Sequence, residues 1–122
     1  MASKGVAGPV RMAPTDEGKL VIRETVLAEI AYLEAMGTPG VVAPHEGFLR
    51  RLLRGHKPVG VVVEIGADEV AFHLTVGMRE GVRIPEAANE LRRRVVAAVS
   101  TKTGYAVRSV NVLVDHIAFG EG

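Results

Sequence analysis

Residues 84–104 read Ile84-Pro85-Glu86-Ala87-Ala88-Asn89-Glu90-Leu91-Arg92-Arg93-Arg94-Val95-Val96-Ala97-Ala98-Val99-Ser100-Thr101-Lys102-Thr103-Gly104, and an apolar run follows from Tyr105 through Val110-Asn111-Val112-Leu113-Val114 to Phe119. The first part is an amphipathic helix with both ends marked. Pro85 suits the first helical position, where its missing N–H would have had no partner. Glu86 sits in the first turn, where the helix dipole favours an anion. Ala88, Leu91, Val95, Ala98 and Val99 recur at the spacing of one buried stripe. Lys102 falls in the last turn, and Gly104 is placed to take the left-handed conformation that ends a helix. The strand that follows has Val110, Val112 and Val114 in phase, after which the phase moves to Ile117 and Phe119. Two explanations fit: a bulge near Asp115-His116, or partial burial of both faces.

Upstream lies a hairpin. Val59, Val61, Val63 and Ile65 alternate with Gly60, Val62 and Glu64; Gly66-Ala67-Asp68-Glu69 makes the turn; Val70, Phe72, Leu74, Val76 and Met78 alternate on the return. Pairing Ile65 with Val70 sets Val63 opposite Phe72 and Val61 opposite Leu74, a coherent inner face. The outer face is then Gly60, Val62, Glu64, Ala71, His73, Thr75 and Gly77. A second helix is expected over Glu24 to Met36, with Val26, Leu27, Ile30, Ala31 and Leu33 toward the core and Gly37 ending it. Lys19-Leu20-Val21-Ile22 reads as a short strand before it. Residues 1–14, broken by Gly5, Gly8, Pro9 and Pro14, read as a flexible tail, leaving 15–122 as one domain. The order strand, helix, hairpin, helix, strand predicts an α+β two-layer sandwich: two helices on one face of a mostly antiparallel sheet, in βαββαβ ferredoxin-like order.

Composition narrows the chemistry. The chain has 122 residues, a formal charge of +1, 48% hydrophobic residues, 4% aromatics and no cysteine. Without cysteine there is no disulfide framework, thiolate nucleophile or thiolate metal site. The small charge does not by itself argue for nucleic acid. No apolar run approaches membrane-spanning length and no leader segment is recognisable, so a cytoplasmic protein is expected. The 14 glycines form neither GxGxxG nor a Walker loop.

Several residues together suggest a family. Gly18-Lys19-Leu20-Val21-Ile22 runs into a helix; Gly-Val pairs stand at Gly40-Val41 and Gly60-Val61; Ile84 precedes the second helix; Thr103-Gly104 ends it; and Val110-Asn111-Val112 follows with Val114 and Ile117. Over residues 18–119 this pattern resembles the bacterial alkaline shock (cell-envelope stress response) proteins. The chain departs from it at Arg23, where a small polar helix cap is expected, and in the arginine content of residues 44–58. The resemblance implies a non-catalytic cytoplasmic protein tied to envelope or stress physiology, in some members working with a membrane-anchored partner. It supplies no catalytic residues and no cofactor.

The candidate sites follow from the same pattern. His45, His56, His73 and His116 lack metal-ligand spacing. His73 lies diagonally across the hairpin from Glu64, but no nucleophile accompanies them, so the two read as polar side chains meeting on the surface rather than as a catalytic pair, and no enzyme is expected. Arg92, Arg93 and Arg94 splay around their helix, and Arg94 stands four residues after Glu90, a favourable pair. Arg50, Arg51, Arg54, His56 and Lys57 form the densest positive cluster. It is either a solvated loop or a patch for phosphates, anionic headgroups or an acidic protein. Gly60, Val62, Glu64, Ala71, His73 and Thr75 make an outer face poor in charge, to which Leu113 adds apolar area. Such a face is expected either to join copies into a homo-oligomer or to be covered by residues 44–58 or the N-terminal segment of its own chain. The expected function is a self-assembling protein-interaction module that docks a partner; the alternative is an anionic-surface or nucleic-acid binder acting through residues 50–57.

Overall fold

A computed structural model describes Gly18, residues 20–44 and residues 60–120. In chain order its elements are α1 (Glu24–Met36), β1 (Val41–Val42), β2 (Val61–Ile65), β3 (Glu69–Arg79), α2 (Ile84–Thr103) and β4 (Ala106–Ala118). β3 is the strand on which the sheet is assembled. β2 pairs antiparallel with it from Ile65↔Val70 to Val61↔Leu74, the register expected from the alternation, and β1 pairs antiparallel at Val41↔Met78 and Val42↔Gly77. β4 runs parallel to β3 from Glu69↔Ala106 to Arg79↔Ala118. Because β4 occupies one edge of β3 along its whole length, β1 and β2 share the other edge end to end.

The predicted α+β two-layer sandwich is the architecture found. Within it, two of the three strand pairings are antiparallel, and the longest is parallel. Helix length accounts for this: the 20 residues of α2 span about 30 Å, close to the roughly 36 Å of the 11-residue β3. The helix therefore returns the chain to the start of β3, and β4 begins beside Glu69. The βαββαβ order is not realised among the described residues. Leu20 to Ile22 form no strand, only isolated bridges at Gly18 and Val21, and β3 pairs directly with β4 with no strand between them.

One side of the sheet carries the core. Val70, Phe72, Leu74, Val76 and Met78 are buried there against Leu27, Ala31 and Ala35 of α1 and Leu91, Val95 and Val99 of α2. Val61, Val63, Ile65, Val112, Val114 and Ile117 flank them on the same face. β4 holds this phase by two register shifts, and the second skips Asp115 between Val76↔Val114 and Gly77↔His116. The bulge reading of the phase change is thus the correct one.

The helix stripes differ in detail from the expectation. In α2 the fully buried row is Ala87, Leu91, Val95, Val99 and Thr103, a strict i+4 ridge, with Ala88 and Ala98 half-buried beside it. In α1 the buried residues are Leu27, Ala28, Ala31 and Ala35, while Val26 and Leu33 face outward. Alanines bring α1 close to its neighbours, so the helix needs no larger side chain on that face.

The quoted Thr-Gly and Gly-Val pairs each have a structural cause. Gly104 is left-handed at φ 81° and its N–H donates to the Ser100 carbonyl. Thr103 Oγ1 donates to the Val99 carbonyl (2.7 Å) and accepts from the Tyr105 N–H (3.1 Å), so one buried hydroxyl joins the end of α2 to the segment that opens β4. Gly60 has φ 79°, and a Cβ there would lie 2.5 Å from the Thr75 carbonyl oxygen. Its own carbonyl accepts from the Thr75 N–H at 2.8 Å, and the Gly40 carbonyl accepts from the Arg79 N–H at 2.9 Å. Each pair is the point where a short strand attaches to the edge of β3.

Candidate functional site: the outer face of the sheet

The face of the sheet opposite the helices is the candidate site. Register places Val62 and Glu64 of β2, Ala71, His73, Thr75 and Gly77 of β3, and Ser109, Asn111, Leu113 and His116 of β4 on it, with Gly60 at its rim. Two apolar side chains stand out into solvent: Val62 is 58% and Leu113 61% exposed. They lie on opposite sides of β3, beside His73 and Thr75 respectively. Ala71, by contrast, is buried; its methyl sits between Glu64 and Ser109 and contributes no accessible surface. Gly77 is also covered, because the His116 ring lies over the space a Cβ would fill. An aromatic ring across a strand glycine hides the backbone that the missing side chain would expose.

A polar network crosses the face between these apolar points. Asn111 Nδ2 is 3.2 Å from His73 Nδ1. With the amide nitrogen as donor, Nδ1 accepts, and the neutral imidazole carries its proton on Nε2. That atom is 3.2 Å from Glu64 Oε2 but outside hydrogen-bonding alignment, so the pair gains its ionic character only when the ring is protonated. Arg108 Nη2 approaches the other Glu64 oxygen at 3.4 Å and its Nε lies 3.9 Å from Glu69. These groups are substantially exposed, and exposed ion pairs contribute about 0–1 kcal/mol each. Their arrangement orders side chains, and among the described residues no hydroxyl or other nucleophile is hydrogen-bonded to His73. The Glu64–His73 contact follows from the hairpin register. The parts played by Arg108 and Asn111 do not, because they depend on the parallel pairing of β3 with β4.

Each arginine of the triplet is held by a partner, and Arg93 and Arg94 share one. Arg92 Nε donates to the Val110 carbonyl of β4 (3.0 Å). Arg93 pairs with Glu90 at 2.6 Å, and Arg94 pairs with Glu90 at 3.0 Å. Arg94 also donates to the Gly37 carbonyl (3.1 Å), placing a cation at the C-terminal end of α1, whose last turn has none of its own. The two guanidinium hydrogen bonds, that of Arg93 first and Arg94 second, hold the Glu90 carboxyl below its ordinary pKa. Arg50, Arg51, Arg54, His56 and Lys57 lie outside the described residues, as does the 1–14 segment. Among the described residues no group of three or more His, Asp or Glu side chains is disposed to hold a metal ion. No described helix is long and apolar enough to cross a membrane.

A family model described as the alkaline shock protein 23 family, cell envelope-related function, matches residues 12–119. No curated protein and no solved structure matches the chain.

Proposed function

Since this chain belongs to the alkaline shock protein 23 family, whose function is cell envelope-related, we propose that it is a non-catalytic interaction module that self-assembles through the outer face of its sheet and docks a partner at the cell envelope. The observation that carries the reading is the pair of exposed side chains Val62 and Leu113 on a face otherwise made of small residues and one short polar network. A sheet face meant for water usually carries long charged side chains outward along every strand. Here the long charged groups, Glu64 and Arg108, engage each other toward one end and leave the apolar points clear. Small side chains let a second sheet approach closely, and two copies related by a twofold axis would bring each Val62 and Leu113 against an apolar partner. The protein acts in the cytoplasm in this reading, reaching the envelope through its partner and using no cofactor.

The test is the double variant Val62→Glu with Leu113→Lys. Both sites are solvent-exposed, so the circular-dichroism spectrum should not change, while the molar mass measured by light scattering should fall to that of the monomer. A variant that keeps the wild-type mass would move the interface away from this face.

A further inference from the structure

Val26, Ile30 and Leu33 form a row at i, i+4 and i+7 on α1, about 150° round the helix from its buried alanine side. Leu33 is 67% and Val26 42% exposed, while Ile30 between them is half-buried and packs against the core, so Val26 and Leu33 carry the outward apolar surface of the row. Leu20 and Val21 are exposed immediately before the same helix, so four of the described large hydrophobic side chains that face solvent belong to this one segment. Single exposed leucines need no explanation, but a row at helical spacing on an outward face does. Glu29 and Glu34 flank the row, one on each side. Among the described residues Glu24, Glu29 and Glu34 make no ion pair, as Glu80 makes none, whereas Glu64, Glu69, Glu86 and Glu90 all do. The sequence of α1 contains no Lys, Arg or His.

We propose that this side of α1 is a docking site for a basic amphipathic helix of a partner protein. The proposal deepens the partner-docking half of the reading above and rests on it. Charge decides the occupant. A second copy set helix against helix would bring carboxylates together, and anionic lipid or nucleic acid would be repelled. A helix with its own apolar row and flanking lysines or arginines satisfies both the strip and its acidic rim. The strip is small beside the roughly 1,200–2,000 Å2 of a standard interface, so the contact is weak and exchangeable. It is also on the opposite layer from the outer sheet face, so self-assembly and partner docking proceed without competing.

The test uses a fluorescein-labelled synthetic helix of about 18 residues, with leucines at i, i+4, i+7 and i+11 flanked by lysines. One control peptide has the same composition scrambled; the other has glutamates for the lysines. Anisotropy titrations with the full chain should give binding to the lysine-flanked helix at least about tenfold tighter than to either control, weakening between about 50 and 500 mM salt. Leu33→Asp should lose that binding, and Glu29→Lys with Glu34→Lys should reverse the preference toward the glutamate-flanked peptide. Equal affinity for the scrambled peptide, or unchanged binding by Leu33→Asp, overturns the proposal. Should Leu33→Asp fail to fold, the charge-reversal pair decides alone, and an unaltered preference there overturns it. Val62→Glu with Leu113→Lys should bind the peptide as wild type does, and loss of binding in that variant would place the site on the sheet and overturn the assignment to α1. Binding that is sensitive to Leu33→Asp in a protein found to be monomeric would reject sheet-mediated self-assembly while leaving this site in place.

Discussion

Gly60→Ala puts the attachment of β2 to a quantitative test. Two costs add at this position. The backbone stands at φ 79°, where an L side chain costs roughly 1–2 kcal/mol. In addition, the new Cβ would lie 2.5 Å from the Thr75 carbonyl oxygen, well inside contact distance, and the obstacle is backbone that cannot rotate aside. Relief requires the start of β2 to move away from β3, which weakens the 2.8 Å bond from the Thr75 N–H to the Gly60 carbonyl, at about 1 kcal/mol. The sum is about 2–3 kcal/mol, less than the 5–15 kcal/mol typical of a domain, so the variant should still fold. Gly81 is the internal control: its φ of 90° is equally left-handed, but nothing lies within 4 Å of its Cβ position. Gly81→Ala should therefore cost only the backbone part, roughly 1–2 kcal/mol. Urea unfolding followed by circular dichroism, with equal slopes for all three proteins, reads the difference. Equal destabilisation by the two substitutions would refute the argument that Gly60 is required by close approach to β3.

Thr103→Val removes a buried hydroxyl that makes two hydrogen bonds and should cost about 1–2 kcal/mol by the same assay, with Thr103→Ser retaining most of the stability. Gly77→Ala should displace the His116 ring from the outer face, seen as a change in that ring's NMR shifts with those of the inner-face residues preserved. For Glu90 the sign is set by its lowered carboxyl pKa. The folded protein holds the ionised form more strongly than the unfolded chain, so the advantage over Glu90→Gln is complete above about pH 5 and disappears as pH falls through the depressed value. Thermal melts of the two proteins across that range should converge in acid; a gap that widens there would contradict the Arg93 and Arg94 pairing.

Much of this architecture is legible in the chain because local signals agree. The alternation from Val61 to Met78 contains its own register, and Pro85, Glu86, Lys102 and Gly104 mark α2 without tertiary information. What escapes is what depends on the third dimension. Periodicity counts Val26 and Leu33 as core residues because they are apolar, yet Leu27, Ala31 and Ala35 already fill the contact. The parallel pairing of β3 with β4 follows from matched lengths of strand and helix, and with it come the contacts of Arg108 with Glu64 and of Asn111 with His73. The arginine triplet is a related case: its splay is visible in the sequence, but the Val110 and Gly37 carbonyls it reaches are not. The Gly-Val and Thr-Gly pairs of this chain prove to be structural instructions, the first for a strand start and the second for a helix end.

The most direct test of self-assembly through the outer sheet face is size-exclusion chromatography with light scattering on the wild-type protein, from low to high micromolar concentration. The prediction is a molar mass at a whole multiple of the monomer at the upper end, unaffected by salt because the contact is apolar, and reduced to the monomer by Val62→Glu with Leu113→Lys. A wild-type protein that remains monomeric at high micromolar concentration would contradict the account and leave Val62 and Leu113 as ordinary exposed side chains.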